Sequence, residues 1–197
     1  MSLSYGSRKG NKIEWIIVHY PAAPGCNATW CKKYYERYKV TESAHYAVSQ
    51  YETVSIVPCS LAAFHCATKG KDKSGNSIKL YCGANNYNSI GIDLMDNKLN
   101  KKTCSVKDRD WYITEATLDR ASYLIAYLMK QYNIDIDHVV RHWDVTHKWC
   151  PRPLVGDDIN EYYGISGNER WERFKQQIME RMKGNNYVWL HLHQPNI

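Results

Sequence analysis

The chain has 197 residues, enough for one domain with a sizeable core. It carries 26 basic against 20 acidic side chains, a net charge of +6 with histidine neutral, and the basic residues are dispersed rather than clustered with aromatics, which argues against a nucleic-acid partner. No apolar run approaches the ~20 residues that a membrane span needs, and the polar start MSLSYGSRKGNK shows no secretory leader.

The first predicted strand is Ile13 to Tyr20, stopped by Pro21 and then Pro24-Gly25. A polar, aromatic helix is expected from about Thr29 to Tyr38. Tyr46 to Gln50 and Val54 to Val57 read as a hairpin turning at Tyr51-Glu52-Thr53. Asp72 to Asn88, rich in Gly, Ser, Asn and Lys, is expected to be loop, and the apolar run Ser89 to Met95 a buried strand. Lys98 to Arg109 is basic but broken by acids, so a solvated loop is expected.

The clearest helix is Thr114 to Tyr132, capped by Thr114, with Leu118, Ala121, Ile125, Leu128 and Tyr132 on one face. His138 to Arg141 is a short strand. A last helix runs from about Asn168 to Met182, with Trp171, Phe174, Ile178 and Met182 aligned. The alternation of strands and helices predicts an α/β fold, a single mixed central β-sheet flanked by helices, over residues 1–183, followed by a tail over 184–197.

Seven cysteines at spacings that form no CxxC pair point to reduced thiols. Sixteen Tyr and 7 Trp against 2 Phe suit either a carbohydrate or peptide groove or a partly wet core.

The chemistry concentrates at three residues. His19 ends the first strand, His142 ends the strand before it, and Cys150 follows eight residues later in Arg141-His142-Trp143-Asp144-Val145-Thr146-His147-Lys148-Trp149-Cys150-Pro151. Two imidazoles and a thiolate are three of the four ligands that zinc takes, and three protein ligands leave one position open for water. The expected cofactor is therefore Zn2+, and the expected class a zinc hydrolase. His147 is a competing ligand, ranked below His142 because only His142 follows a strand. Asp144 either orients His142 or caps the following turn.

Read in order, strand-His19, Ser43-Ala44-His45-Tyr46, Ser89-Ile90-Gly91-Ile92-Asp93, the capped long helix and the run from Arg141 to Pro153 resemble the zinc-dependent N-acetylmuramoyl-L-alanine amidases of the amidase-2 type. That family includes short phage endolysins and shares its fold with the peptidoglycan recognition proteins. The resemblance covers Ile13 to Pro153 and implies zinc ligands at His19, His142 and Cys150, with Lys148 at the family's catalytic lysine. A cation there stabilises the oxyanion of amide hydrolysis.

One departure concerns the strand in which short phage members carry Tyr before His. Here that position is Ala44, and Tyr46, after His45, is expected on the opposite face. Other members carry a carboxylate in a run like Ser89 to Asp93, which implies Asp93 as general base, although Asp is one methylene shorter than Glu. The resemblance further implies substrate contacts at His65, Asn88 and Ser89, and a place for His45 within the sheet.

The implied activity is hydrolysis of the amide between N-acetylmuramic acid and L-alanine in peptidoglycan. The implied setting is a phage or prophage endolysin or a bacterial autolysin, cytoplasmic until release and acting at the cell wall. The alternative is a non-catalytic peptidoglycan-binding module on the same fold.

Overall fold

The computed structural model of the protein describes residues 3–37, 40–67 and 76–184; the expected tail lies outside them from residue 185. In chain order the elements are β1 (Tyr5–Ser7), β2 (Trp15–His19), α1 (Ala28–Arg37), β3 (Tyr46–Val48), β4 (Thr53–Ser55), β5 (Leu61–Ala63), β6 (Ser89–Leu94), β7 (Asn97–Lys98), β8 (Trp111–Tyr112), α2 (Glu115–Tyr132), β9 (Val139–Arg141), α3 (His142–Thr146) and α4 (Gly167–Lys183).

The central sheet has the order β4-β3-β6-β2-β9. β3, β6, β2 and β9 are mutually parallel, and β4 joins β3 antiparallel as the expected hairpin. The mixed sheet flanked by helices is the architecture that the alternating pattern predicts. Two small antiparallel pairs, β1 with β5 and β7 with β8, were not anticipated, because their runs of two or three residues carry too little periodicity. No helix among the described residues is long and apolar enough to cross a membrane.

Side-chain alternation separates the sheet's two faces. Ile16 and Val18 of β2 join Ile90, Ile92 and Leu94 of β6 and Val48 of β3 on one face. There they meet Leu118, Ala121, Ile125 and Leu128 of α2 and Trp171, Phe174 and Ile178 of α4. On the other face, Ile17 packs with Val145 of α3, while Ala47 packs with Ala28 and Cys31 of α1. Thr114 caps α2 by accepting the Thr117 N–H at 3.2 Å.

Lys98 departs from the expected solvated loop. Its side chain is fully buried, with the ammonium held by Asp110 and, at 3.0 Å, by Asp108, over the Trp111 ring. Burying a charge needs such pairing. Composition alone masks it, because the two acids lie ten and twelve residues away and are brought over by the β7–β8 pair.

Arg141 ties the end of β9 to the start of α4. Its guanidinium bonds Asp144, the Leu154 carbonyl at 2.7 Å and the Asn168 Oδ1 at 2.7 Å. Asp144 also accepts the Arg141 backbone N–H at 2.8 Å, so of its two expected roles the structure shows the cap. At the same junction, Gly167 opens α4 directly against Val155, where a Cβ would lie 2.5 Å from the Val155 nitrogen and 2.6 Å from its oxygen. Backbone atoms have no rotamer by which to yield. Gly167→Ala is expected to destabilise the protein by about 1–3 kcal/mol, read as a lower denaturant midpoint at unchanged slope.

Candidate metal centre and active site

Parallel strands all point their carboxyl ends toward one edge of a sheet, where ligands of α/β folds bind. β2 ends at His19, paired in register with Asp93 of β6. β9 ends at Arg141, so His142 emerges beside them as the first residue of α3. Cys150 is returned to the same edge by two backbone bonds. The Trp143 N–H donates to the Cys150 carbonyl at 2.9 Å, and the His147 N–H donates to the Trp143 carbonyl at 2.8 Å.

The donor atoms of His19, His142 and Cys150 all lie within 4.8 Å of one another. His19 Nδ1 is 3.1 Å from His142 Nδ1 and 3.8 Å from Cys150 Sγ. Tetrahedral bonds of about 2.0–2.3 Å would set such donors roughly 3.3–3.8 Å apart, so the cluster has the dimensions of a metal site. Burial, helped by the Lys148 charge, pushes the His142 imidazole down to about 3. Burial, and after it the neighbouring imidazoles and Lys148, also holds His19 well below the ordinary histidine value. Both rings are therefore neutral at pH 7, the form that binds metal. Burial pushes the Cys150 thiol up to about 12, against the pull of Lys148. A cation must displace that proton.

A hydrogen-bond chain behind His19 sets its tautomer. The Ser89 hydroxyl donates to the Asn85 carbonyl, which can only accept. Ser89 Oγ, 3.2 Å from His65 Nε2, therefore accepts the proton on that nitrogen. His65 Nδ1 is then bare and accepts from His19 Nε2 at 2.9 Å, which leaves the lone pair of His19 Nδ1 facing the cluster. Gly91 makes the chain possible: a Cβ there would lie 2.4 Å from Cγ of the His65 ring. A glycine within a buried strand is the sequence mark of such a close approach.

These contacts revise the expected substrate residues. Ser89 is fully buried, with its hydroxyl engaged below His19. Asn88 braces its own loop, accepting the Asn85 N–H and donating to the Gly83 carbonyl. The structure thus places neither in the cleft. His65 does line the cleft, but both its nitrogens are taken by His19 and Ser89.

His45 is buried within the sheet and its Nδ1 accepts the Gly91 N–H at 2.9 Å. Tyr46 packs toward the α2 side, away from the site. His147 lies outside the cluster, its ring stacked between Tyr81 and Trp143.

His19, Asp93, His142, Lys148 and Cys150 share one cleft of about 670 Å³. Its facing wall is α1, through Trp30, Tyr34 and Tyr35. Trp30 and Tyr34 stack on each other with centroids 5.5 Å apart and stay 40 % and 38 % exposed at the cleft. Asp93 is buried, and burial pushes its carboxyl up to about 6 against hydrogen bonds from Tyr35 and Cys31. Tyr35 was invisible as a site residue: its partner Asp93 is 58 positions away, and only the fold joins them.

Residues 9–153 match the family described as N-acetylmuramoyl-L-alanine amidase, amidase-2 type. The chain belongs to the amidase-2 family. Within it, the chain is 28% identical over 186 residues to N-acetylmuramoyl-L-alanine amidase BlyA of Bacillus subtilis strain 168, covering 90% of this chain and 45% of that protein. It is 30% identical over 158 residues to N-acetylmuramoyl-L-alanine amidase CwlH of the same strain, covering 79% of this chain and 54% of that protein. The chain thus spans about half the length of these curated relatives. Among solved structures, the PlyG catalytic domain aligns with a TM-score of 0.61 at 22% identity, over 94% of this chain and 88% of that one, a likeness of fold.

The tautomer chain of this amidase-2 member has a direct consequence. Partners behind a ligating histidine typically affect metal affinity 10–100-fold. Ser89→Ala removes the acceptor for His65 and is expected to weaken binding of a divalent metal at this cluster by about tenfold or more, measured by competition with a chromogenic chelator. Unchanged affinity would show that His19 is oriented without this chain.

Proposed function

We propose that this amidase-2 member hydrolyses the amide joining N-acetylmuramic acid to L-alanine in peptidoglycan, with zinc as its metal, and acts at the bacterial cell wall as an endolysin or autolysin. The observation that carries the reading is the meeting of two neutral imidazoles, a thiol, a carboxylate and a lysine in one cleft. The donor set fits zinc: two imidazoles and one sulfur are ligands it accepts, and three leave room for water and substrate. His19, His142 and Cys150 would hold the zinc, which would supply Lewis acidity for the substrate carbonyl and for water near neutral pH.

The chain's own groups do the rest. Asp93 takes the proton of the attacking water and returns it to the leaving amine. Lys148, exposed on the loop between His142 and Cys150, lines the same cleft and offers its ammonium to the oxyanion that develops on the carbonyl oxygen. The half-exposed Trp30–Tyr34 pair offers apolar faces to a sugar ring or the lactyl-peptide stem.

Digestion of purified peptidoglycan by the zinc-loaded protein, with mass spectrometry of the products, tests the bond assignment. Free stem peptides with new L-alanine amino termini, lost on chelation, are expected; bound but uncut wall would favour a binding module. Cys150→Ser should lose zinc and activity together. Asp93→Asn should keep zinc and lose roughly 10²–10⁴ in rate.

The pH dependence follows from the same group. Asp93 works as carboxylate, so the rate falls as pH drops through its pKa. Burial raises that value to about 6 in the metal-free protein, and a nearby cation can only lower it. The acid limb of kcat is therefore expected at or below about pH 6. A limb centred above pH 7 would remove Asp93 from the base role.

A further inference from the structure

Asp93 receives two hydrogen bonds, and both go to one oxygen. The Tyr35 phenol donates to Oδ2 at 2.8 Å, and the Cys31 thiol, a weaker donor, at 3.6 Å. Both come from α1, one turn apart, so a single helix face is aimed at this carboxylate. Among the described residues no hydrogen bond is made to Oδ1, although Asp93 lines the cleft.

The helix has anchors besides the phenol. The Thr29 N–H and hydroxyl each lie 2.8 Å from the Glu52 carboxylate. Ala28, Cys31 and the Tyr35 ring pack in one cluster with Ala47, Val57 and Ala63. The Tyr35 hydroxyl itself is directed at Asp93.

We propose that Tyr35 is the positioning residue of the general base: its phenol pins Asp93 Oδ2 and so turns Oδ1 toward the attacking water. This rests on the reading of Asp93 as base. A carboxylate on a short side chain is free to rotate about its last bond, and a misplacement of about 1 Å can cost a hundredfold in rate. With Oδ2 fixed, Oδ1 takes the proton as the water oxygen bonds to the carbonyl carbon. As the C–N bond breaks, Oδ1 gives that proton to the leaving nitrogen. Tyr35 keeps its own proton throughout. The arrangement answers the shorter reach of Asp by fixing its direction instead of its length.

The test compares zinc-loaded Tyr35→Phe, Asp93→Asn and the double variant with the unmodified protein on a soluble N-acetylmuramoyl-peptide. Zinc content and thermal unfolding are measured for each. Tyr35→Phe is expected to lower kcat about 10- to 100-fold, with KM within about twofold and zinc stoichiometry unchanged. In the Asp93→Asn background it should add nothing further, because Tyr35 acts only through that carboxylate.

Normal kcat in Tyr35→Phe while Asp93→Asn is slow overturns the positioning role and leaves the base assignment intact. Additive losses in the double variant overturn it too, since Tyr35 would then act on its own. A loss carried by KM or by zinc content would likewise make Tyr35 a binding or structural residue. Normal kcat in Asp93→Asn removes the base assignment itself and the positioning role with it.

Discussion

The site depends on the parity of a parallel sheet. Along a strand, neighbouring side chains face opposite ways, and in parallel strands paired in register the same parity repeats across the sheet. Ile16 and Val18 must face the α2–α4 layer, so Ile17 and His19 must face the other way. The β2–β6 register aligns His19 with Asp93, which places the first ligand and the candidate base side by side on the same face. Slipping β2 or β6 by one residue would put an imidazole or a carboxylate into the core cluster and an apolar side chain such as Val18 or Ile92 into the cleft. The stability of the apolar layer therefore enforces the geometry of the polar one.

The polar layer is costly to bury, and its hydrogen bonds are arranged to limit that cost. Four histidines, His19, His45, His65 and His142, sit close together with their nitrogens turned to named partners. Desolvation is the largest influence on each ring and keeps all four neutral. A neutral imidazole has one donor and one acceptor, so each assignment in the chain fixes the next. The direction is set at the far end by the Asn85 carbonyl, an atom with no alternative role. A main-chain oxygen thereby decides which nitrogen of His19 presents its lone pair to His142 and Cys150.

The sequence was informative where one residue type sufficed. His19 at a strand end, His142 after a short strand and Cys150 eight residues on could be named before any fold was known, and so could α2 and α4 from their apolar spacing. Residues whose roles are pairwise were read differently. Ser89 and Asn88 were expected at the substrate through resemblance to the family's loop residues; in the fold Ser89 is buried beside His65 and Asn88 braces a loop. Gly91 carried a usable signal, a glycine inside an apolar strand, but its partner ring lies 26 positions earlier. Lys98 looked solvated for the same reason: its acids become neighbours only once β7 and β8 pair.

The two walls of the cleft obey different constraints. The metal and base side is built on strand ends and a closed loop, where a shift of one residue reverses a face. The opposite wall is one helix, and a helix can exchange exposed side chains without disturbing the sheet it rests on. Trp30 and Tyr34 face the cleft from the same helix that reaches down to Asp93 through Tyr35 and Cys31. Its faces are thus divided between packing, through Ala28 and Cys31, and the cleft. Any movement of α1 that reshapes this wall also moves the donor on Asp93 Oδ2. The shape of the wall and the setting of the Asp93 carboxylate are therefore mechanically linked through ten residues of helix.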